Sequence, residues 1–419
     1  MKIAVIGGGI AGMSNAWALS KIHDVVLFEK ASRIGGHSRT IDIAIDDKNV
    51  PVDTGFIVFN RPNYPNLLAL FEHFNVPVVK SAMSFGVSLN GGAFEYGTEG
   101  VQGFLGQRSN LFKPRFWRMF LDIIKFNRSA KRISRDAMTL RELLDEMGLG
   151  QDFRTRYLLP MAASIWSTPK DKMLEYPAQT FLNFFDNHGL LTLFDQPQWY
   201  TVEGGSREYV RKIVDDFDGD IRLSTQITQV IRSSDGVSIS FENAETEVFD
   251  RVVFACHADQ TRALIGDIDE KERAVIGRFG FQENRVLTHT DTAFMPNRKK
   301  CWSSWVYLES GRSTQGVSLS YWMNNLQPLG TDQPVIVTLN PETDPKQDEL
   351  VDTWKTDHPL FDHNAIRAQT ELGGLQGYRH TYYCGAWTGY GFHEDGLRSG
   401  LDVAEQIGAK IPWRKDDVG

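Results

Sequence analysis

The sequence predicts an α/β fold, α+β when taken whole, in which a nucleotide-binding domain of the Rossmann type is interrupted by a mixed sheet-and-helix domain. Three observations predict it. A buried-strand pattern, a glycine-rich turn and a helical pattern follow one another between Met1 and Ser20. A second strand–glycine–helix sequence, Thr381 to Gly400, stands near the far end of the chain. Between the two, helix-rich sequence and strand-like runs alternate with strands that suit the first unit.

Met1 to Ile6 is a continuous apolar run, as expected of a strand covered on both faces. Gly7-Gly8-Gly9-Ile10-Ala11-Gly12 follows, then a helical pattern through Ser20, then a second apolar run from Asp24 to Phe28. The spacing is G-x-G-x-x-G in the context that gives it meaning, after a strand and opening a helix, with Glu29 17 residues past Gly12. Gly7 permits the tight turn, Gly9 lets a pyrophosphate approach the backbone, and Gly12 lets helix and strand pack closely. Ile10 and Ala11 bring the first N–H groups and the positive dipole end to the phosphates. Glu29 is placed to accept the hydroxyls of an adenosine ribose, with Lys30 beside it. The plainer alternative is a glycine-rich turn in an ordinary α/β unit.

Arg33-Ile34-Gly35-Gly36-His37-Ser38-Arg39-Thr40 comes next. A glycine pair flanked by cationic side chains suits a second pass over the same pyrophosphate, with charge-assisted contacts, and so favours FAD over NAD. A surface turn is the alternative. Val52 to Phe56 reads as a strand in which Gly55 lets a flat ring lie against the backbone beside Phe56.

Together with the terminal "GAWTGYGFHEDGLRSG", these pieces resemble the FAD-containing amine oxidase superfamily, which also includes protoporphyrinogen oxidases and phytoene desaturases. A closer resemblance is to the flavoprotein branch related to the N-terminal oxidase-like domain fused to plant cyclopropane fatty acid synthases. It is carried by "GFIVFNRPNYPN", "MSFGVSL", "SIWSTP", "PQWYTVEGGS" and "GYGFHEDGL". The resemblance implies FAD and an amine oxidase-like two-domain fold. Residues 1–85, 200–280 and 370–419 would form the FAD-binding domain, and 86–199 and 281–369 the substrate-binding domain. The residues agree with this division. Arg222–Ile231, Val237–Phe241 and Phe249–Ala255 read as strands of the first domain; 86–199 is helix-rich; Arg285–Thr290, Trp302–Leu308, Gly316–Tyr321 and Val335–Leu339 read as a four-strand meander.

The resemblance also assigns roles. The backbone around Val230 would meet the adenine, and Gly385, followed by Ala386, would let the pyrophosphate and ribityl chain pass. A helix beginning near His393, with Asp395 in its first turn, would aim its N-terminus at the flavin. Phe392 and His393 would face the ring, with Tyr390 close behind. His393 is the leading acid/base candidate, because imidazole titrates near neutral pH; Glu394 is equally a helix-start carboxylate. Two departures speak against amine oxidation. Ala386 stands where many members carry an acid, and Lys299 and Lys300 lie in a turn-like "NRKKC" rather than on a strand across the flavin.

Net charge is −8, which argues against nucleic acid as a partner. Residues 107–135 oppose that balance with nine Lys/Arg and one Asp. At 100° per residue, Phe116, Met119, Phe120, Ile123 and Ala130 share one face, and Arg118, Lys125 and Arg132 the other. This pattern suits either contact with an anionic membrane or a core-packed helix with a solvated cationic face. Phe181 to Tyr200 suits either an apolar tunnel or a core, and His188 reads as a structural histidine. No run of eighteen apolar residues exists, the first strand leaves no room for a signal peptide, and Cys256, Cys301 and Cys384 have neither disulfide nor metal spacing. A cytoplasmic location, with membrane-surface contact as an option, and no metal are therefore expected.

The function expected is FAD-dependent oxidation or desaturation of a hydrophobic substrate: unsaturated, cyclopropane or methyl-branched acyl chains of lipid. The alternatives are a redox-neutral double-bond isomerase, an amine or porphyrinogen oxidase, and a non-catalytic flavoprotein that partners a cyclopropane fatty acid synthase-like methyltransferase.

Overall fold

The computed structural model describes residues 1–135, 138–166, 170–187, 189–191, 197–310 and 318–414. Strand β1 (Lys2–Ile6), helix α1 (Ile10–Ser20) and strand β2 (Asp24–Phe28) open the chain. Both strands lie inside a five-stranded parallel sheet, in the order Asp220–Arg222, β2, β1, Arg251–Phe254, Thr381–Tyr383. Helix α1 and the helix His393–Gln406 cover one face of the sheet, and the strands Ile227–Ser233, Gly236–Phe241 and Thr246–Phe249 with the helix His363–Glu371 cover the other, which is why its own strands read as unbroken apolar runs. Helix α1 packs on the C-terminal helix His393–Gln406, where Asn15 Nδ2 donates to Gly400 O at 2.9 Å.

The segment expected as one strand from Arg222 to Ile231 is two. Asp220–Arg222 joins β2, whereas Ile227–Ser233 begins a separate antiparallel sheet with Gly236–Phe241 and Thr246–Phe249. The break falls at Ser224, whose φ is 50°, and the turn is held by Ser224 N–H on Ala31 O and Thr225 N–H on Glu29 O.

A seven-stranded mixed sheet forms the second layer, in the order Leu350–Leu360, Gly280–His289, Ile336–Leu339, Ser318–Trp322, Trp305–Glu309, Phe85–Leu89, Phe94–Gly97. Three of its strands run as a meander, but Gly280–His289 pairs with Ile336–Leu339 and with Leu350–Leu360 instead of with Trp305–Glu309. The start of the strand expected from Gly316, and His188, lie outside the described residues.

Helix α2 (Pro65–His73) follows the Gly55 region, and helices α3 (Gly100–Phe104) and α4 (Pro114–Ile133) begin the helical layer over the large sheet. Helix α4 buries Phe116, Met119, Ile123, Phe126 and Ala130, which lie on one side of the helix. Phe181, Leu182 and Phe185 of the helix Ala178–Asn187 belong to the same core, so this part of the aromatic stretch is core.

Candidate active site

A cavity of about 1280 Å³ opens at the carboxyl ends of β1 and β2 and runs beneath the helical layer. That position is where parallel α/β sheets bind ligands. The volume exceeds the roughly 300–1,000 Å³ of an ordinary single-ligand pocket, leaving room for a cofactor and a second molecule.

One end is lined by Glu29, Lys30, Thr225, Gln226 and Ile227. The Glu29 carboxylate accepts N–H bonds from Gly8 at 2.7 Å and Ala31 at 2.8 Å, so its position is set by the same turn that starts α1. Val230 does not reach this end. It is fully buried beside Ile265, because the break at Ser224 makes Thr225–Ile227, three to five residues earlier, the segment that borders the cavity.

The middle is lined by Gly7, Gly9, Ile10, Ala11, Arg33, Gly36, His37, Gly55 and Phe56. A Cβ on Gly12 would sit 1.8 Å from Gly7 O, so α1 can lie this close to the turn only with glycine there. A Cβ on Gly9, by contrast, would meet nothing within 4 Å. Gly9 caps α1 without a side chain, so the first-turn N–H groups retain no side-chain acceptor. An open cradle before uncapped donors fits a pyrophosphate. Gly35 and Ser38 stand behind this wall and do not line it: Gly35 shapes the turn that Ser38 N–H closes on its carbonyl. His37 Nε2 lies 2.6 Å from Thr356 Oγ1, and its ring is 5.6 Å from that of His358 and 6.5 Å from that of His257. Burial, with His358 and His257 nearby, keeps the His37 imidazole well below its ordinary basicity.

Gly385, Ala386, Phe392, His393 and Gly396 close the far side. Gly385 takes φ 147°, and a Cβ there would fall 2.6 Å from Trp387 Nε1, so the chain passes the cavity as bare backbone. The helix starts at His393 and faces the cavity with its N-terminus. The His393 ring stacks on Phe56 at 3.9 Å, and its Nε2 lies 2.6 Å from the Tyr209 hydroxyl. Burial lowers its pKa to about 3, so it is neutral at physiological pH and a weak proton acceptor. This corrects the expectation of an acid/base titrating near neutrality.

Two further expectations change. Tyr390 does not line the cavity; it packs behind Phe184, 6.2 Å between rings. Asp395 points back rather than into the cavity, accepting N–H bonds from Tyr390 and Phe392 at 3.0 Å each and pairing with Arg398. Glu394 accepts from Asn66 N, Asn66 Nδ2 and Leu67 N, and so caps α2 rather than its own helix. Lys299 and Lys300 are exposed, away from the cavity.

The sequence reading missed the strand Leu350–Leu360, whose residues Trp354 to Pro359 all border the cavity, with Trp354, Thr356 and His358 on one face of it. Their spacing of two was the available signal. The polar composition of "DTWKTDH" hid it.

The far arm of the cavity lies under the helical layer. Phe104, Leu105, Trp117, Phe120, Ile123, Tyr157, Met161, Ile165, Phe184 and Leu190 line it. Among the described residues, no Asp, Glu, Lys or Arg lines this arm.

The family model for flavin-containing amine oxidoreductases matches residues 10–358. No curated protein matches the chain by sequence. Among solved structures, the chain resembles a CLA-producing fatty acid isomerase from P. acnes at TM-score 0.68 and 15% identity, covering 97% of this chain and 98% of that one. Putrescine oxidase bound to putrescine and cyclohexylamine oxidase from Brevibacterium oxydans IH-35A each match at TM-score 0.67 and 14% identity, covering 97% of this chain and 99% of theirs. These likenesses show the two-domain fold. With the nucleotide cradle and the cavity that extends from it, the chain belongs to the flavin-containing amine oxidoreductase family and is an FAD-dependent oxidoreductase.

Proposed function

We propose that the chain oxidises a long apolar substrate, the acyl chain of a lipid, in the far arm of its cavity. The observation that carries this reading is the composition of that arm: ten apolar or aromatic side chains and, among the described residues, no ionised one. A cationic amine placed there would be desolvated without a counter-charge, at a cost of several kcal/mol. An acyl chain would replace water at about 0.8 kcal/mol per CH₂. The fatty acid isomerase neighbour is compatible with such a substrate.

When bound, FAD supplies a two-electron acceptor, and the protein supplies its setting. The α1 N-terminus would hold the pyrophosphate, and Glu29 the adenosine ribose. The N-terminus of the helix His393–Gln406 offers N–H groups and a positive dipole end to negative charge at the flavin ring. Phe56, Phe392 and neutral His393 wall off water. Tyr209 fixes the imidazole through Nε2, so Tyr209 is a positioning residue that acts through His393.

The test is to fill the arm. Met161→Trp should lower turnover of long acyl chains far more than that of short ones, with flavin content and thermal midpoint confirming a folded, loaded protein. Equal effects on all chain lengths would remove the arm from substrate binding. A redox-neutral double-bond shift is the second reading, favoured by the isomerase neighbour. It would appear as an altered chain with no consumption of an electron acceptor.

A further inference from the structure

The far arm of the cavity reaches the surface between α3 and α4. Val101 and Trp117 line the cavity yet are 74% and 44% exposed, so they form its rim. Phe112 and Leu121 continue the rim outward at 86% and 64% exposure. They are continuous with it: Trp117 Nε1 donates to Leu111 O at 2.9 Å, beside Phe112, and Leu121 lies one turn along α4 from Trp117. Four of the ten exposed large apolar side chains among the described residues thus collect at one opening.

The charge around this opening is predominantly positive, with exposed Glu99 before α3 and half-buried Asp122 on α4 as the nearby acids. Arg108, Arg118 and Arg128 are exposed and, among the described residues, form no ion pair, in contrast to Arg115, Lys131 and Arg135, which pair with Asp152, Asp186 and Glu146. Arg108 also shares a shallow surface recess with Lys299 and Lys300. On α4, Trp117, Leu121, Arg118 and Arg128 fall within about 100° of one another, opposite the buried face. Apolar tips beside free cations, in a chain of net charge −8, match a surface with anionic headgroups over a hydrocarbon layer. Among the described residues no helix is long and apolar enough to cross a membrane.

We infer that the mouth of the cavity docks on anionic phospholipid, with Val101, Phe112, Trp117 and Leu121 entering the headgroup boundary and Arg108, Arg118 and Arg128 meeting phosphates. The docked cavity would open directly onto acyl chains. This rests on the acyl-chain reading for its purpose but not for its observations, which concern the exterior of the mouth.

The experiment is sedimentation of FAD-loaded protein with vesicles of phosphatidylcholine alone or with phosphatidylglycerol, without turnover. Partition onto the phosphatidylglycerol vesicles should be at least about tenfold stronger at low salt and fall as salt rises. Phe112→Ser with Leu121→Ser, and separately Arg118→Glu with Arg128→Glu, should each lower it by about tenfold or more, with flavin content unchanged because none of the four side chains lines the cavity. Equal binding to both vesicles, undiminished binding of either variant, or no vesicle binding would overturn the inference. So would self-association of the wild type that the apolar variant abolishes, since the patch would then be a contact between copies. Because no chemistry is measured, acyl lipid can fail as substrate while docking stands, and the reverse.

Discussion

The Tyr209 hydroxyl lies 2.6 Å from His393 Nε2 and meets Ser38 Oγ as well, tying the first residue of the C-terminal helix to the glycine loop of the cofactor site. Tyr209 is fully buried, so both partners depend on it. Tyr209→Phe should cost about 1–3 kcal/mol of stability by leaving two polar groups without their partner. Urea unfolding checks it, and an unchanged midpoint would show the pair to be dispensable.

The same burial makes a pH prediction. An imidazole ordinarily titrates near 6.5, and in the fold His393 is held to about 3. The folded value is the lower one, so protons favour the unfolded chain. This contribution is intact above pH 6.5 and is lost as the pH falls from 6.5 towards 3. His393→Gln should flatten the pH dependence of unfolding free energy in that window by up to about 1.4 kcal/mol per pH unit. A slope equal to that of the wild type would mean the imidazole is accessible to protons.

Gly9→Asp isolates the cofactor cradle from folding. A Cβ there meets nothing within 4 Å, so the protein accommodates the side chain, while the carboxylate occupies the approach of the pyrophosphate. The variant should purify folded and without flavin. A normal ratio of flavin to protein absorbance would contradict the cradle.

Glu394 joins two helices far apart in sequence through three accepted hydrogen bonds on Asn66 and Leu67. Glu394→Ala should lower stability by about 1–2 kcal/mol, as loss of an N-cap does. Flavin content should persist. Loss of flavin with undiminished stability would assign the carboxylate to the cofactor instead.

The parts legible in the sequence were those whose chemistry is local. Gly7, Gly9 and Gly12 carry their meaning in a six-residue turn, and the strand–glycine–helix at Gly385 does the same. The buried face of α4 followed from its period, with Phe126 in place of Phe120 as a core residue and Phe120 turned to the cavity. What depends on distant partners was hidden. Asp395 and Glu394 are adjacent acids at one helix start, and only the fold shows that one turns back on its own loop and the other reaches α2. Val230 was misplaced because a single positive φ at Ser224 divides what reads as one strand. The strand bearing Trp354, Thr356 and His358 was missed because its inward side chains face a cavity rather than an apolar core.

The most direct test is the visible spectrum of the FAD-loaded protein, recorded anaerobically before and after adding vesicles of unsaturated phospholipid, with a soluble diamine as the comparison. Loss of the flavin band near ~450 nm on adding lipid, with a changed acyl chain and no response to the diamine, is the predicted result. An oxidised flavin with unchanged lipid, bleached by the diamine, would contradict it.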